Sequence, residues 1–299
     1  MRSLVFFVML CCSVAQLHAR DWYVDNRLGD DQFSGRLRLP ASGDGPVRTI
    51  AKALRVCGTA DRIVIANTGM AYRESFTLVG GRHSGLPDFP FVVEGNGAML
   101  DGRTLVPAEA WSVFRGDIYR FRPPRQASAM LYLGERPARF HPPLERQNGA
   151  PRLEPLEWSL VDGYIWFRVE QGKLIEDYPL SIAALAVGVG LYHVHDVVVS
   201  NLVVQGYQLD GVNAHDGVSM CRLSNVTSRG NGRSGFTVAN ASRVLLDGCV
   251  SGDNGASQLR SEGYSHTRLI NTSLLANTAP RIVSSGGEAQ IEGDSAAPR

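Results

Sequence analysis

Asp210, His215, Arg260 and Glu262 are the residues of this chain whose types and spacing best equip it for chemistry. An imidazole moves protons near neutral pH, a guanidinium holds carboxylates through paired hydrogen bonds, and carboxylates orient a base or take a proton. Asn213, Thr237 and Arg260 follow one another at steps of 24 and 23 residues, and His215, Ala239 and Glu262 keep the same steps. If each step is one turn of a stacked chain, His215, Arg260 and Glu262 share a face. Asp210 sits at the entry to the strand that carries His215. Tyr207, Asn213, Asp216, Thr237 and Tyr264 lie nearby in the same register, where they can contact a ligand. An extended polymer crossing that face meets cations, an imidazole and carboxylates in succession, which suits an acidic polysaccharide. The competing reading is a solvated face on which Arg260 and Glu262 form an ordinary ion pair.

These residues need elements that repeat, and the sequence supplies them. Asn201, Asn225, Gly248 and Asn271 recur at 24, 23 and 23 residues. Val199, Leu223, Leu246 and Leu269 keep the same steps, as do Leu202, Val226, Cys249 and Thr272, and Val212, Phe236, Leu259 and Ile282. A turn column reads Tyr207, Asn231, Asn254, Asn277. Within each unit apolar residues alternate over short runs bounded by Gly and Asn, a strand pattern and not a helical one. Strands lying on their own equivalents pair in parallel about 4.8 Å apart, with like side chains over like. The fold class read from this is all-β, a parallel β-helix. Asn suits its turns because it tolerates left-handed backbone angles. The column from Asn201 to Asn271 is expected to face inward as a carboxamide ladder.

The rest of the chain divides around those coils. Arg2, the apolar run Leu4–Leu10 and the small Ala19 read as a signal peptide over residues 1–19, which predicts a secreted, periplasmic or cell-surface protein. An N-terminal cap and first coils follow over 20–102, with a helical pattern from Pro46 to Val56 that covers the open end of the stack. Residues 103–180 lose the period and gather Trp111, Trp158 and Trp166. There Asp162-Gly163 between two apolar runs is a hairpin signal, so the segment reads as a β-rich insertion. Regular coils occupy 181–284, resuming near Ile182, and 285–299 reads as a disordered tail. Without Arg2 the chain has 29 basic and 29 acidic residues, so it carries no broad footprint for nucleic acid. No later apolar run is long enough to span a membrane. Cys57, Cys221 and Cys249 remain after processing; an odd number does not make a disulfide framework. The oligomeric state is left open.

Trp22-Tyr23-Val24-Asp25, Gly29-Asp30-Asp31 and Gly45-Pro46-Val47-Arg48-Thr49-Ile50 resemble the opening of secreted right-handed parallel β-helix proteins of the pectin-lyase-like superfamily. Asp210-Gly211-Val212-Asn213 and Arg229-Gly230-Asn231-Gly232 resemble that group's ordinary repeats. The resemblance implies a single-stranded right-handed coil, and activities in the group include pectate and alginate lyases, uronate epimerases and polygalacturonases. For a lyase or C5-epimerase, Arg260 neutralises the uronate carboxylate, His215 removes the C5 proton, and Tyr207 or Tyr264 supplies the acid. Paired-carboxylate hydrolysis is disfavoured. The polygalacturonase motif survives only as Asp210-Gly211, no Asp pair follows one coil on, and Gly252-Asp253-Asn254-Gly255 has no His. His193 and His195 could face one way as metal ligands, and Asp25, Asp30 and Asp31 could hold Ca²⁺, but turns use the same residues, so no metal or other cofactor is assigned. The function expected is binding of an extracellular, acidic polysaccharide, with lyase or epimerase chemistry as its catalytic form. The alternative is a non-catalytic β-helix for adhesion or surface structure.

Overall fold

The computed structural model describes residues 19–124, 130–143, 146–147 and 149–292; the expected signal peptide falls almost wholly outside them. Among these residues the longest sheet passes through Asp21–Val24, Arg62–Ile65, Phe91–Asp101, His195–Gln205, Ser219–Ser224, Arg243–Asp247, His266–Ile270 and Glu288–Glu292, each strand parallel to the next. A second parallel sheet stacks Phe76–Val79, Val189–Tyr192, Asp210–His215, Ser234–Val238, Ser257–Glu262 and Ile282–Ser285. The apolar columns read from the sequence are partners in register: Val199, Leu223, Leu246 and Leu269 in the first sheet, Val212, Phe236, Leu259 and Ile282 in the second. Both rows also extend backward, to Trp22, Ile63 and Val93 in one and Phe76 and Val189 in the other. They face a common core. Each buried aliphatic side chain there stabilises the stack by about 1.5–3 kcal/mol before the entropy of ordering it.

The structure moves the buried ladder to a different column. Asn201, Asn225, Gly248 and Asn271 all have positive φ, between 48° and 64°, as a left-handed turn requires. Yet Asn225 and Asn271 are exposed, so this column faces outward. The interior ladder is the turn column: Asn231 and Asn254 are fully buried, and Asn231 Nδ2 donates to Asn254 Oδ1 at 3.0 Å. Asn254 Oδ1 also accepts from Asn231 N at 2.9 Å, and Asn231 Oδ1 accepts from Tyr207 N at 3.1 Å. These carboxamides satisfy backbone groups that the turn would otherwise bury unpaired.

The capping helix is shorter than its pattern, Ile50–Val56. Thr49 is its N-cap, accepting from Lys52 N at 3.1 Å, and Val47 instead bridges to Val24 as extended chain. Ile50, Ala53 and Leu54 are buried. The Asp162-Gly163 signal holds: Glu157–Val161 pairs antiparallel with Tyr164–Arg168, Val161 opposite Tyr164, and both turn residues have positive φ. That hairpin belongs to a five-stranded sheet with its own core around Trp111, Trp158 and Phe167.

Ile182 pairs antiparallel with Thr104 and Leu131, so it belongs to this inserted region. Parallel stacking resumes at Val189, because Leu180–Ala183 takes its strand partners from the insertion, Arg103–Leu105 and Leu131–Leu133. Tyr132 OH donates to Gly230 O, and Gln208 Nε2 donates to Ala183 O at 3.2 Å, fastening the insertion to the stack. The segment after Ser284, expected as disordered, adds a further strand instead: Glu288–Glu292 lies on His266–Ile270 with Ile291 beside Leu269. An open strand edge recruits any segment able to complete its hydrogen bonds. Cys57, Cys221 and Cys249 are free and buried.

Candidate functional site

The outer side of the six-stranded sheet carries the sequence-derived site. One row runs Thr77, Gly190, Asn213, Thr237, Arg260, Val283. A second, two residues further along each strand, includes Val79, Tyr192 and His215 at one end and Glu262 and Ser285 at the other. The strands of His215 and Glu262 are two steps apart, about 10 Å at the usual parallel spacing.

His215 is the best-formed base on this face. Its Nδ1 lies 2.9 Å from Asp216 Oδ2 and its side chain is 39% exposed. With Nδ1–H donated to the carboxylate, Nε2 is left as the acceptor. Asp216 is held in turn by Asn240 Nδ2. The bond from His215, and after it that from Asn240, keeps the Asp216 carboxyl below the usual range. Asp216 and Asn240 both have positive φ, so the turn that follows each strand aims these side chains back at one another.

Arg260 and Glu262 do meet, Nε to Oε1 at 2.6 Å, each about a quarter to a third exposed. Asp210 is closed off. It is fully buried, and Arg233 grips both its oxygens, Nε–Oδ1 at 2.9 Å and Nη2–Oδ2 at 2.5 Å. Asn213 Nδ2 donates to the same carboxylate at 2.7 Å. Such a carboxylate shapes the floor and is closed to a ligand by its burial. Beside it, Asn213 Oδ1 and Thr237 Oγ1 are buried without a hydrogen-bond partner among the described residues. Both atoms are closed to solvent, so they belong to the floor beneath the face and not to the surface a ligand meets.

Of the two tyrosines expected as the acid, Tyr207 is ruled out by burial and Tyr264 is free at the surface. Tyr207 is in the core, its OH donating to Glu74 O at 2.5 Å, and burial pushes its pKa up. Tyr264 is 84% exposed beside the turn residue Gly263, and its hydroxyl has no hydrogen-bond partner among the described residues. Tyr192, which the sequence reading did not select, is the residue that meets His215. It is the strand partner of His215, with ring centroids 5.0 Å apart, and it also packs against the His193 ring at 4.3 Å. The signal was present, since Tyr192 precedes His215 by the same 23-residue step. Arg233, which closes Asp210, also lies one such step along.

The residues weighed for metal have other partners. Asp25 Oδ1 accepts from Arg27 N and Leu28 N, Asp30 Oδ1 from Gln32 N, and Asp31 Oδ1 from Arg48 N and Thr49 N. His195 Nδ1 lies 3.0 Å from Asp196 while His193 packs on Tyr192. Among the described residues no group of three or more His, Cys, Asp or Glu is placed to hold an ion. No helix among them is long and apolar enough to cross a membrane.

No protein-family model and no curated protein matches the chain. Among solved structures it is similar to one described as a glycoside hydrolase, with TM-score 0.56 and 10% identity over 85% of this chain and 74% of that one. It is also similar to a complex of XylC with xylose, TM-score 0.44 and 12% identity, covering 91% of this chain and 70% of that one. Pectate lyase Pel9A gives TM-score 0.35 and 11% identity, covering 85% and 62%. At 10% identity the likeness to the first of these structures is one of fold alone. It agrees with the stacked parallel sheets and leaves chemistry to the site.

Proposed function

We propose that this is a secreted, right-handed parallel β-helix of the pectin-lyase-like kind that binds an acidic polysaccharide along the outer side of its six-stranded sheet. The observation that carries the reading is the His215–Asp216 pair, held by Asn240 and flanked by Tyr192, on an open face. In the catalytic form of this reading, His215 Nε2 takes the C5 proton of a uronate. Tyr192 protonates the leaving oxygen in a lyase, or the opposite face of the carbanion in an epimerase. Asp216 stabilises the imidazolium that forms. Arg260, two strands away, meets a carboxylate further along the polymer and aligns it.

A non-catalytic binding face is the second reading. The pairing of Arg260 with Glu262 favours it, because a guanidinium already engaged neutralises an incoming carboxylate less well. Incubation with alginate, pectate and chondroitin, following the absorbance of unsaturated uronate and the C5 epimer ratio, separates the two. The catalytic reading expects turnover that His215→Ala lowers by roughly 100-fold or more. Polymer binding without turnover, in wild type and His215→Ala alike, replaces it with the second. No binding to any acidic polymer sinks both.

A further inference from the structure

A second groove lies where the insertion meets the turns of the coil, at the entry end of the strands and away from His215. It encloses about 750 Å³ between the Tyr132–Phe140 segment and the turns at Gly230 and Asn254. Phe140 lies on its wall, 51% exposed, with its ring 4.9 Å from the buried Trp158 ring. Trp158 is fixed by donation from its Nε1 to Ala138 O at 3.0 Å. Phe140 therefore presents an apolar face on a rigid support.

Part of the charge in the lining is already paired. Arg103 is paired with Asp101 and Glu135, and Arg139 with Glu157. Arg136, on the insertion, and Arg229, one coil from Asp253, remain in the lining with that carboxylate. The lining itself holds four arginines (103, 136, 139, 229) and the carboxylates of Glu135 and Asp253, and two of the arginines, 103 and 139, are neutralised from behind by the buried Asp101 and Glu157. Arg229 makes only a neutral contact, Nε to Gln205 Oε1 at 3.0 Å, and Arg136 has no ion pair among the described residues. Asp253 Oδ1 accepts from Asn277 Nδ2 at 2.7 Å, which orients the carboxylate.

We propose that this groove binds an uncharged sugar unit of an oligosaccharide. Phe140 stacks on the apolar face of the ring, while Arg136, Arg229 and Asp253 address its hydroxyls. An aromatic wall with a few oriented donors and acceptors is what such a ligand needs. With Arg103 and Arg139 already held by carboxylates and Asp253 oriented in the lining, the groove has little charge left to attract a polyanion, which separates it from the face around His215. The inference is independent of the function proposed for that face.

Titration calorimetry on the whole protein tests it, using xylo-, manno- and cello-oligosaccharides beside oligogalacturonate and oligoalginate. The expected result is binding of at least one neutral oligosaccharide, with an affinity that does not change between low and high salt. Phe140→Ala and Arg136→Ala, both at exposed positions, each weaken it about tenfold. His215→Ala leaves it intact. The proposal is overturned if no neutral oligosaccharide binds, or if binding survives both groove variants while their melting temperatures stay at the wild-type value. It is equally overturned if the groove variants reduce binding of the acidic oligosaccharides instead.

Discussion

Two tyrosines show how position decides what a phenol does. Tyr207 donates to the Glu74 carbonyl from within the core, and Tyr192 stands 37% exposed beside His215. Tyr207→Phe leaves a carbonyl without its donor and is expected to cost about 1–3 kcal/mol in urea unfolding, with polysaccharide binding unchanged. Tyr192→Phe is expected to stay within about 0.5 kcal/mol of wild type while weakening binding or turnover of the acidic polymer. The reverse pattern would return Tyr207 to the site. His215 and Asp216 were legible because neighbouring residues on a strand and its turn meet wherever the strand lies. Asp210 was legible as a strand-entry residue, but its closure by Arg233 was not, because an ion pair between coils depends on side-chain directions at an irregular entry.

At the scale of elements, the two Asn columns look alike in sequence and do different work. Asn254 is fully buried and bonds to Asn231, Ser251 and Gln258; Asn225 has a left-handed backbone and makes one exposed carboxamide bond, Nδ2 to Asn201 Oδ1 at 3.3 Å. Asn254→Ala removes the acceptor of two buried donors and is expected to cost at least about 2 kcal/mol. Asn225→Gly keeps the backbone permitted at φ 52° and should fall within about 0.5 kcal/mol of wild type. Chemical denaturation of the two variants checks the assignment; equal costs would restore the outward column as a structural ladder. The period places both columns at turns. It does not say which side of the chain is inside, because alternation is interrupted where turn and strand join.

For the whole molecule, the sign of the acid response follows from carboxylates that tie distant segments together. Burial opposes ionisation of Asp61, but donation from Trp22, Gly58 and Arg20 outweighs it, and the group is held below the usual range. Burial likewise opposes ionisation of Asp101, and its bonds and charge contacts with Arg103 outweigh it. An acid with a lowered folded pKa adds stability that is complete above its unfolded value, about 3.9, and is lost as pH falls through the folded value. Burial raises Glu74 against two helix N–H bonds. Its contribution therefore has the opposite sign, complete below about 4.3 and lost as pH rises through the raised value. The melting temperature should thus fall steeply below pH of about 4. Asp101→Asn should lower it at neutral pH and converge on wild type in acid. A variant parallel to wild type at every pH would show that Asp101 does not contribute to this limb.

The sequence alone determined that equivalent positions 23 or 24 residues apart stack, because a period shared by several apolar columns can be satisfied only by like strands lying on like. It also placed His215, Arg260 and Glu262 on that lattice. Tertiary structure decided the rest: that Tyr192 and not Tyr207 faces the imidazole, that Asp210 is sealed by Arg233, that the last strand recruits residues 288–292, and that the insertion forms a groove with the turns. The reason is physical. Register is set by a repeat along the chain, whereas exposure and charge pairing depend on what each side chain meets across space, and the sequence encodes that only once the coils are stacked.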